Sequence, residues 1–170
     1  IKDAGERKET VLSTLHGPVV AMKDGKAYAV RSAYIDAPAT AVAWHALNHA
    51  SDYKGVAAAL ESAALFPQNV MAADVDGNIY YQRTGRVPKR SPAFDYDYAV
   101  NGSTSASQWL GIHPTADLIQ ILNPPTGYMQ NCNIPPSAMY PNAPFTVENT
   151  VPYIYADREY GPARDGWNNE

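Results

Sequence analysis

From Glu9 to Thr14 the chain alternates: Thr10, Leu12 and Thr14 fall on one side, Val11, Ser13 and Leu15 on the other. That two-residue period predicts a strand. His16-Gly17-Pro18 breaks it, and Val19–Met22 resumes it. Lys23-Asp24-Gly25-Lys26 then carries an Asp-Gly hairpin signal, with Ala27–Arg31 as the returning strand.

The period next changes to that of a helix. Asp36-Ala37-Pro38 reads as a helix start with proline in the first turn. Alanines and aliphatics run on to Ala50, with Val42, His45, Ala46 and His49 sharing one stripe. A second helix is expected from Ser51 or Asp52 as N-cap to about Leu65, where Phe66-Pro67 ends it. Val56, Leu60 and Ala64 are spaced by four along it. So short a connection makes the pair a helical hairpin.

Two more strands follow, Gln68–Asp74 and Ile79–Thr84, joined by a turn at Asp76-Gly77-Asn78. From Val87 onward Pro, Asn, Gly, Ser and Tyr dominate and periodicity fades. This half is expected to be long loops on a scaffold with short strands, anchored by Trp109-Leu110 and Ile119–Leu122. The expected organisation is a single unit over 1–170, with strands plus helical hairpin in 8–86 and a loop-rich part in 87–170. The pattern predicts an α+β fold with antiparallel strands.

Composition narrows the classes. The 170 residues are 45% hydrophobic and 18% charged, a globular balance. A net charge of −4 carries no basic footprint for nucleic acid. The longest apolar run, Val56–Phe66, is too short to span a membrane. Ile1 opens a charged stretch, Lys2–Glu9, without the pattern of a signal peptide. A single cysteine excludes an internal disulfide framework. Cys132 has no Lys, Arg or His within ten residues to stabilise a thiolate, and reads as a small buried residue.

Several clusters invite chemistry and most have a plainer reading. Asp74-Val75-Asp76-Gly77-Asn78 resembles the start of a calcium loop, but the twelfth position of that loop is Gly85 rather than an acid. An Asp-Gly hairpin turn accounts for it better. His45 and His49 stand one helical turn apart, yet lack a glutamate after the first histidine and a third ligand. Ser103, Ser105 and Ser107 lie near His113 without a nucleophile elbow. Arg158 is flanked by Asp157 and Glu159, either as a solvated ion pair or as a clamp for a carboxylate.

The stretch Asn123–Pro136 is the most distinctive. Pro124-Pro125-Thr126-Gly127 predicts a turn, Tyr128–Cys132 a short extended run, and Pro135-Pro136 a stop. On a strand Asn131 and Asn133 project together, as a rigid amide corner of the kind a developing oxyanion needs. Asparagines in such a setting also simply build turns through their own backbone.

Taken in order, His16-Gly17-Pro18-Val19-Val20, the hairpin, the Ala-rich helix pair, Gln68-Asn69-Val70, Ala73–Tyr81, Gly85-Arg86-Val87-Pro88 and Asn123–Tyr128 resemble the penicillin acylase family. That family includes acyl-homoserine-lactone and cephalosporin acylases. The resemblance covers about residues 8–145. It implies part of an αββα sandwich of an N-terminal-nucleophile (Ntn) hydrolase. It also implies a self-cleaving precursor (a zymogen) whose new N-terminal Ser attacks an amide carbonyl with its own α-amine as base. An Asn following the Gly-Tyr turn donates to the oxyanion, and register from Gly127-Tyr128 assigns that role to Asn133. Asn131 is then a structural companion, and Arg158 the candidate for supporting the catalytic network.

The same resemblance departs from the family at residue 1, which is Ile where a nucleophile would stand. The segment therefore reads as an internal fragment of the large (beta) subunit, inactive alone. Its implied partners are the rest of that subunit, the small subunit of the same precursor and a small N-acyl substrate: a beta-lactam side chain, an acyl-homoserine lactone or a related compound. No cofactor is implied, a structural calcium is possible in the full protein, and periplasmic or secreted residence is implied. A non-catalytic scaffold or binding module derived from the family is the alternative.

Overall fold

The computed structural model describes residues 5–6, 8–35, 37, 40–96, 98–132, 134–146 and 149–151. Two antiparallel three-stranded sheets and a helical hairpin make up the regular structure, an α+β fold as expected.

The first sheet comprises β1 (Ser13–Thr14), β2 (Gly17–Lys23) and β3 (Lys26–Ala29), in that spatial order. Asp24 (φ 50°) and Gly25 (φ 71°) are both left-handed, the twist a two-residue hairpin requires. His16-Gly17-Pro18 does not interrupt a single strand. Leu15 and His16 form a tight turn, and Thr14 pairs with Gly17. Gly17 has φ 121°, and its bare Cα faces the Val30 carbonyl, so no side chain fits there. Only Ser13–Thr14 of the expected Glu9–Thr14 strand is paired regularly, although the Val19 amide still reaches the Leu12 carbonyl at 2.9 Å.

Helix α1 is Thr40–Asn48 and α2 is Tyr53–Leu60. The expected start of α1 at Asp36 and Pro38 lies outside the described residues. Its packed face runs through Ala43 and Leu47, whereas Val42, His45 and His49 are exposed. The cap at Asp52 is as expected: its Oδ1 accepts from the Gly55 amide at 2.8 Å.

Helix α2 stops at Leu60, five residues before the expected end, and Ala63 turns left-handed (φ 50°). Beyond it the carbonyls of Ala64, Leu65 and Phe66 accept from the hydroxyls of Thr40 (3.0 Å), Tyr34 (2.9 Å) and Thr84 (2.8 Å). These long-range donors satisfy the backbone without helical bonds while Ala64 and Leu65 stay buried.

The second sheet carries the core. It comprises β4 (Asn69–Ala73), β5 (Ile79–Arg83) and β6 (Gln120–Leu122), with β5 central. Side chains alternate along β5, so Tyr80 and Tyr81 enter different clusters. Tyr80 packs with Ala43, Leu60, Ala64 and Leu65 beneath the helical hairpin. Tyr81 packs with Leu118, Ile119, Ile121, Ile134, Met139 and Tyr140 from the loop half. Full burial of each such side chain contributes about 1.5–3 kcal/mol.

The second half is loop-rich as expected, with three single-turn 3₁₀ segments and the bridge Pro88↔Ile112 besides β6. The expected strand at Tyr128–Cys132 does not form. Among the described residues its backbone is tied by Gln130 N–H to the Met139 carbonyl, 3.0 Å, so it lies as a loop rather than in a ladder. Cys132 is exposed rather than buried. Ile134 is the buried residue there instead.

Candidate active-site loop

The loop 128–134 is held by the edge of the second sheet. Asn69, the first residue of β4, and Tyr81 of β5 present side chains on the face toward the loop half. The Tyr81 hydroxyl donates to Asn69 Oδ1 at 2.8 Å. Asn69 Nδ2 donates to Asn131 Oδ1 at 2.9 Å and to the Ile134 carbonyl at 3.1 Å. The Ile134 carbonyl can only accept, so Asn69 must turn its nitrogen outward. Its oxygen therefore meets Tyr81, and Asn131 must offer an oxygen in return.

One amide thus grips the loop at positions 131 and 134. Burial reinforces the grip: Tyr81 and Met139 have no exposed surface and Ile134 is 3% exposed. On the approach side, Gln130 is tied to Met139 by its amide and to the Ala138 carbonyl by its side chain (3.3 Å). Asn131 is held by its hydrogen bond to Asn69. Asn133 and Arg158 lie outside the described residues.

Asn123, at the head of the same stretch, has a role its sequence did not signal. It is left-handed (φ 48°). Its Oδ1 accepts from the Ile79 amide at 2.8 Å and its Nδ2 donates to Asn78 Oδ1 at 2.9 Å. Asn123 therefore welds the end of β6 to the β4–β5 turn. Asn69 was also missed as a hub, because no local pattern marks an asparagine whose partners lie 12, 62 and 65 residues away.

The other clusters resolve into structural contacts. Asp74 organises the β4–β5 turn: Oδ1 accepts from the Asp76 and Asn78 amides (3.1 and 2.9 Å), and Oδ2 accepts from Asn78 Nδ2 (2.9 Å) and the Tyr53 amide (3.3 Å). The Asn78 side-chain amide, ahead of the backbone donors, holds the Asp74 carboxyl below its ordinary value. Both oxygens face N–H groups, so the turn does not fit a cation ligand. Among the described residues no group of three or more His, Cys, Asp or Glu side chains is arranged for a metal. His49 Nδ1 bonds the His45 carbonyl at 2.8 Å, with the rings 4.2 Å apart. The Ser103 and Ser107 hydroxyls donate to Asn101, while His113 pairs with Asp117 at 2.9 Å.

The Tyr80 hydroxyl, on the opposite face, lies 2.8 and 2.9 Å from Oε1 of Gln82 and Gln120. Burial pushes its pKa up to about 12. Burial also raises that of Tyr34, whose hydroxyl accepts from the Arg86 amide.

A central antiparallel sheet flanked by a helical hairpin on one face and by ordered loops on the other, with an asparagine-gripped loop at its edge, defines an α+β scaffold. The chain belongs to the penicillin amidase family, whose model matches residues 1–164. Over 69 residues it is 39% identical to penicillin G acylase from Escherichia coli, a match spanning 41% of this chain and 8% of that protein. Its structure is similar to that of a thermostable penicillin G acylase from Alcaligenes faecalis, with a TM-score of 0.70 and 26% identity over 84% of this chain. The match covers 26% of that longer chain.

Proposed function

We propose that these residues form part of an enzyme that hydrolyses an acyl-amide bond through an N-terminal nucleophile supplied by other parts of the polypeptide. In this reading the nucleophile's hydroxyl oxygen attacks the amide carbonyl while its α-amine takes the proton. The carbonyl oxygen becomes an oxyanion, which accepts a hydrogen bond from the side-chain amide of Asn133. Collapse expels the amine and leaves an acyl-enzyme, which water hydrolyses. Arg158 supports the network around the nucleophile. The remainder of the large subunit and a small subunit of the same precursor complete the site, a small N-acyl compound is the substrate, and the enzyme works in the periplasm or outside the cell.

The observation that supports this reading is the pair of hydrogen bonds from Asn69 Nδ2 to Asn131 Oδ1 and to the Ile134 carbonyl, which fix residues close to Asn133 in the sequence. A donor aimed at a transition state contributes most when its support is rigid before substrate arrives. Membership of the penicillin amidase family supports the reaction class. The test is Asn133→Ala in the full-length polypeptide, with turnover expected to fall by roughly 10²–10³ and folding retained. Undiminished turnover in a folded variant would remove Asn133 from the mechanism and favour a scaffold role for the segment.

A further inference from the structure

The first sheet ends in a strand edge beside a cationic cleft. Among the described residues, strand β3 pairs only with β2. Across the two-residue turn Lys23 and Lys26 form the closing hydrogen-bonded pair, so the next pair, Met22↔Ala27, is a non-hydrogen-bonded one. The N–H and C=O of Ala27 therefore point away from β2, along the outer edge. Lys26, Ala27, Tyr28 and Ala29 all line one cleft of about 930 Å³. Side chains from both faces of a strand meet one cavity only when the strand presents its edge to it.

The opposite wall comes from the loop 96–109 and includes Trp109. The Arg31 guanidinium lies over the Trp109 ring, 4.8 Å from its centre. A guanidinium held over an indole keeps N–H groups that can meet a carboxylate. Lys26 and Arg31 line the cleft, and none of its described lining residues is a carboxylate. The chain as a whole carries −4, so this concentration of positive charge runs against the overall balance. An unpaired strand edge is a template for another strand, and charge on its flanks selects which strand is accepted.

We propose that this cleft receives an extended acidic strand, which adds to the first sheet by backbone bonds at Ala27 and places carboxylates against Lys26 and Arg31. The strand comes from a part of the same polypeptide outside these 170 residues. A backbone edge favours a peptide over a small anion, which would use the cations and leave Ala27 unbonded. The matched acylase chain is about four times as long as the part matched here, which leaves ample polypeptide to supply it. The proposal rests on the reading that the segment belongs to a longer protein.

The test is amide hydrogen exchange on the full-length polypeptide, resolved at Ala27. Exchange slowed by roughly tenfold or more, relative to the Lys26→Glu/Arg31→Glu variant of the same full-length polypeptide, is expected. Lys26→Glu with Arg31→Glu should restore fast exchange at Ala27 while the Tyr28 amide, inside the β2–β3 ladder, stays slow. Fast exchange at Ala27 in the folded full-length protein overturns the proposal. So does protection that disappears on dilution, which marks a second copy, and protection that requires an added small carboxylate. Loss of the Tyr28 protection in the double variant would indicate hairpin damage, so Ala27→Pro, which removes the outward donor while also fixing φ at that position, serves as the second variant, read only where the Tyr28 amide stays slow. Release of the acidic strand from protection in it is expected, and retained protection overturns the proposal. The amidohydrolase reading is scored by turnover of the Asn133 variant and is untouched by these exchange rates.

Discussion

The hydroxyl of Tyr81 lies 2.8 Å from Oδ1 of Asn69, and that contact orients the amide whose nitrogen holds both Asn131 and Ile134. Tyr81 is wholly buried and Asn69 half-buried, so the contact is partly sheltered from water. Asn69→Ala leaves the Tyr81 hydroxyl and the Ile134 carbonyl without this partner and should cost about 1–3 kcal/mol in urea unfolding. Asn69→Asp should cost at least as much, since a carboxylate there faces two acceptors. Tyr81→Phe should cost only about 1 kcal/mol. If Asn69→Ala unfolds with the wild-type midpoint, the loop is held by its apolar contacts alone.

Gly17 and Gly25 make a matched comparison. Both are left-handed, but only Gly17 faces backbone, the Val30 carbonyl, where Gly25 faces open space. Gly25→Ala should cost about 1 kcal/mol, the ordinary penalty for φ > 0. Gly17→Ala adds steric overlap with backbone and should cost roughly 2–5 kcal/mol. Thermal melts of the two variants check the ranking, and equal losses would mean that β3 yields freely at Val30.

These two hairpins also show what could be read without coordinates. Asp24-Gly25 and Asp76-Gly77 declare their turns because left-handed backbone is a property of the residues themselves. Asp52 declares a helix start for the same local reason. What was not legible was set by distant partners. The stripe through Val42, His45 and His49 has helical spacing but does not say which face packs; Ala43 and Leu47 do, because the position of α2 decides which face is buried. The end of α2 depends on hydroxyls from Tyr34, Thr40 and Thr84, and the grip on Asn131 depends on Asn69. None of these leaves a trace in a window of neighbouring residues.

Stability should fall at alkaline pH through Tyr80. Its pKa is raised from 10.0 to about 12. Between these values the unfolded chain has already released the proton that the folded chain retains, so the unfolded state gains as pH rises. The Tyr80 contribution is complete below pH 10 and declines toward pH 12. Subtracting the unfolding free energy of Tyr80→Phe from that of the wild type at each pH isolates it from the other tyrosines. A difference that stays flat across this window would show that the hydroxyl is solvated in the native state.

At acid pH the sign reverses for Asp74, whose carboxyl is held below its ordinary value of 3.8. The folded chain stays ionised where the unfolded chain begins to bind a proton. The contribution is therefore present above that value and is lost as pH falls through the depressed one. Asp74→Asn should lower stability at neutral pH and flatten the acid limb, because an amide nitrogen would face the Asn78 donors. An acid limb unchanged in this variant would assign it to other carboxylates.

Strand β5 lends one face to the helical hairpin through Tyr80 and the other to the loop half through Tyr81. Neither half owns a second wall that could shelter its apolar groups alone. Heating or urea should consequently melt both together, as one transition seen identically by helix-sensitive and tyrosine-sensitive probes. An intermediate with folded helices and released loops has no lid for the Tyr81 side of the sheet.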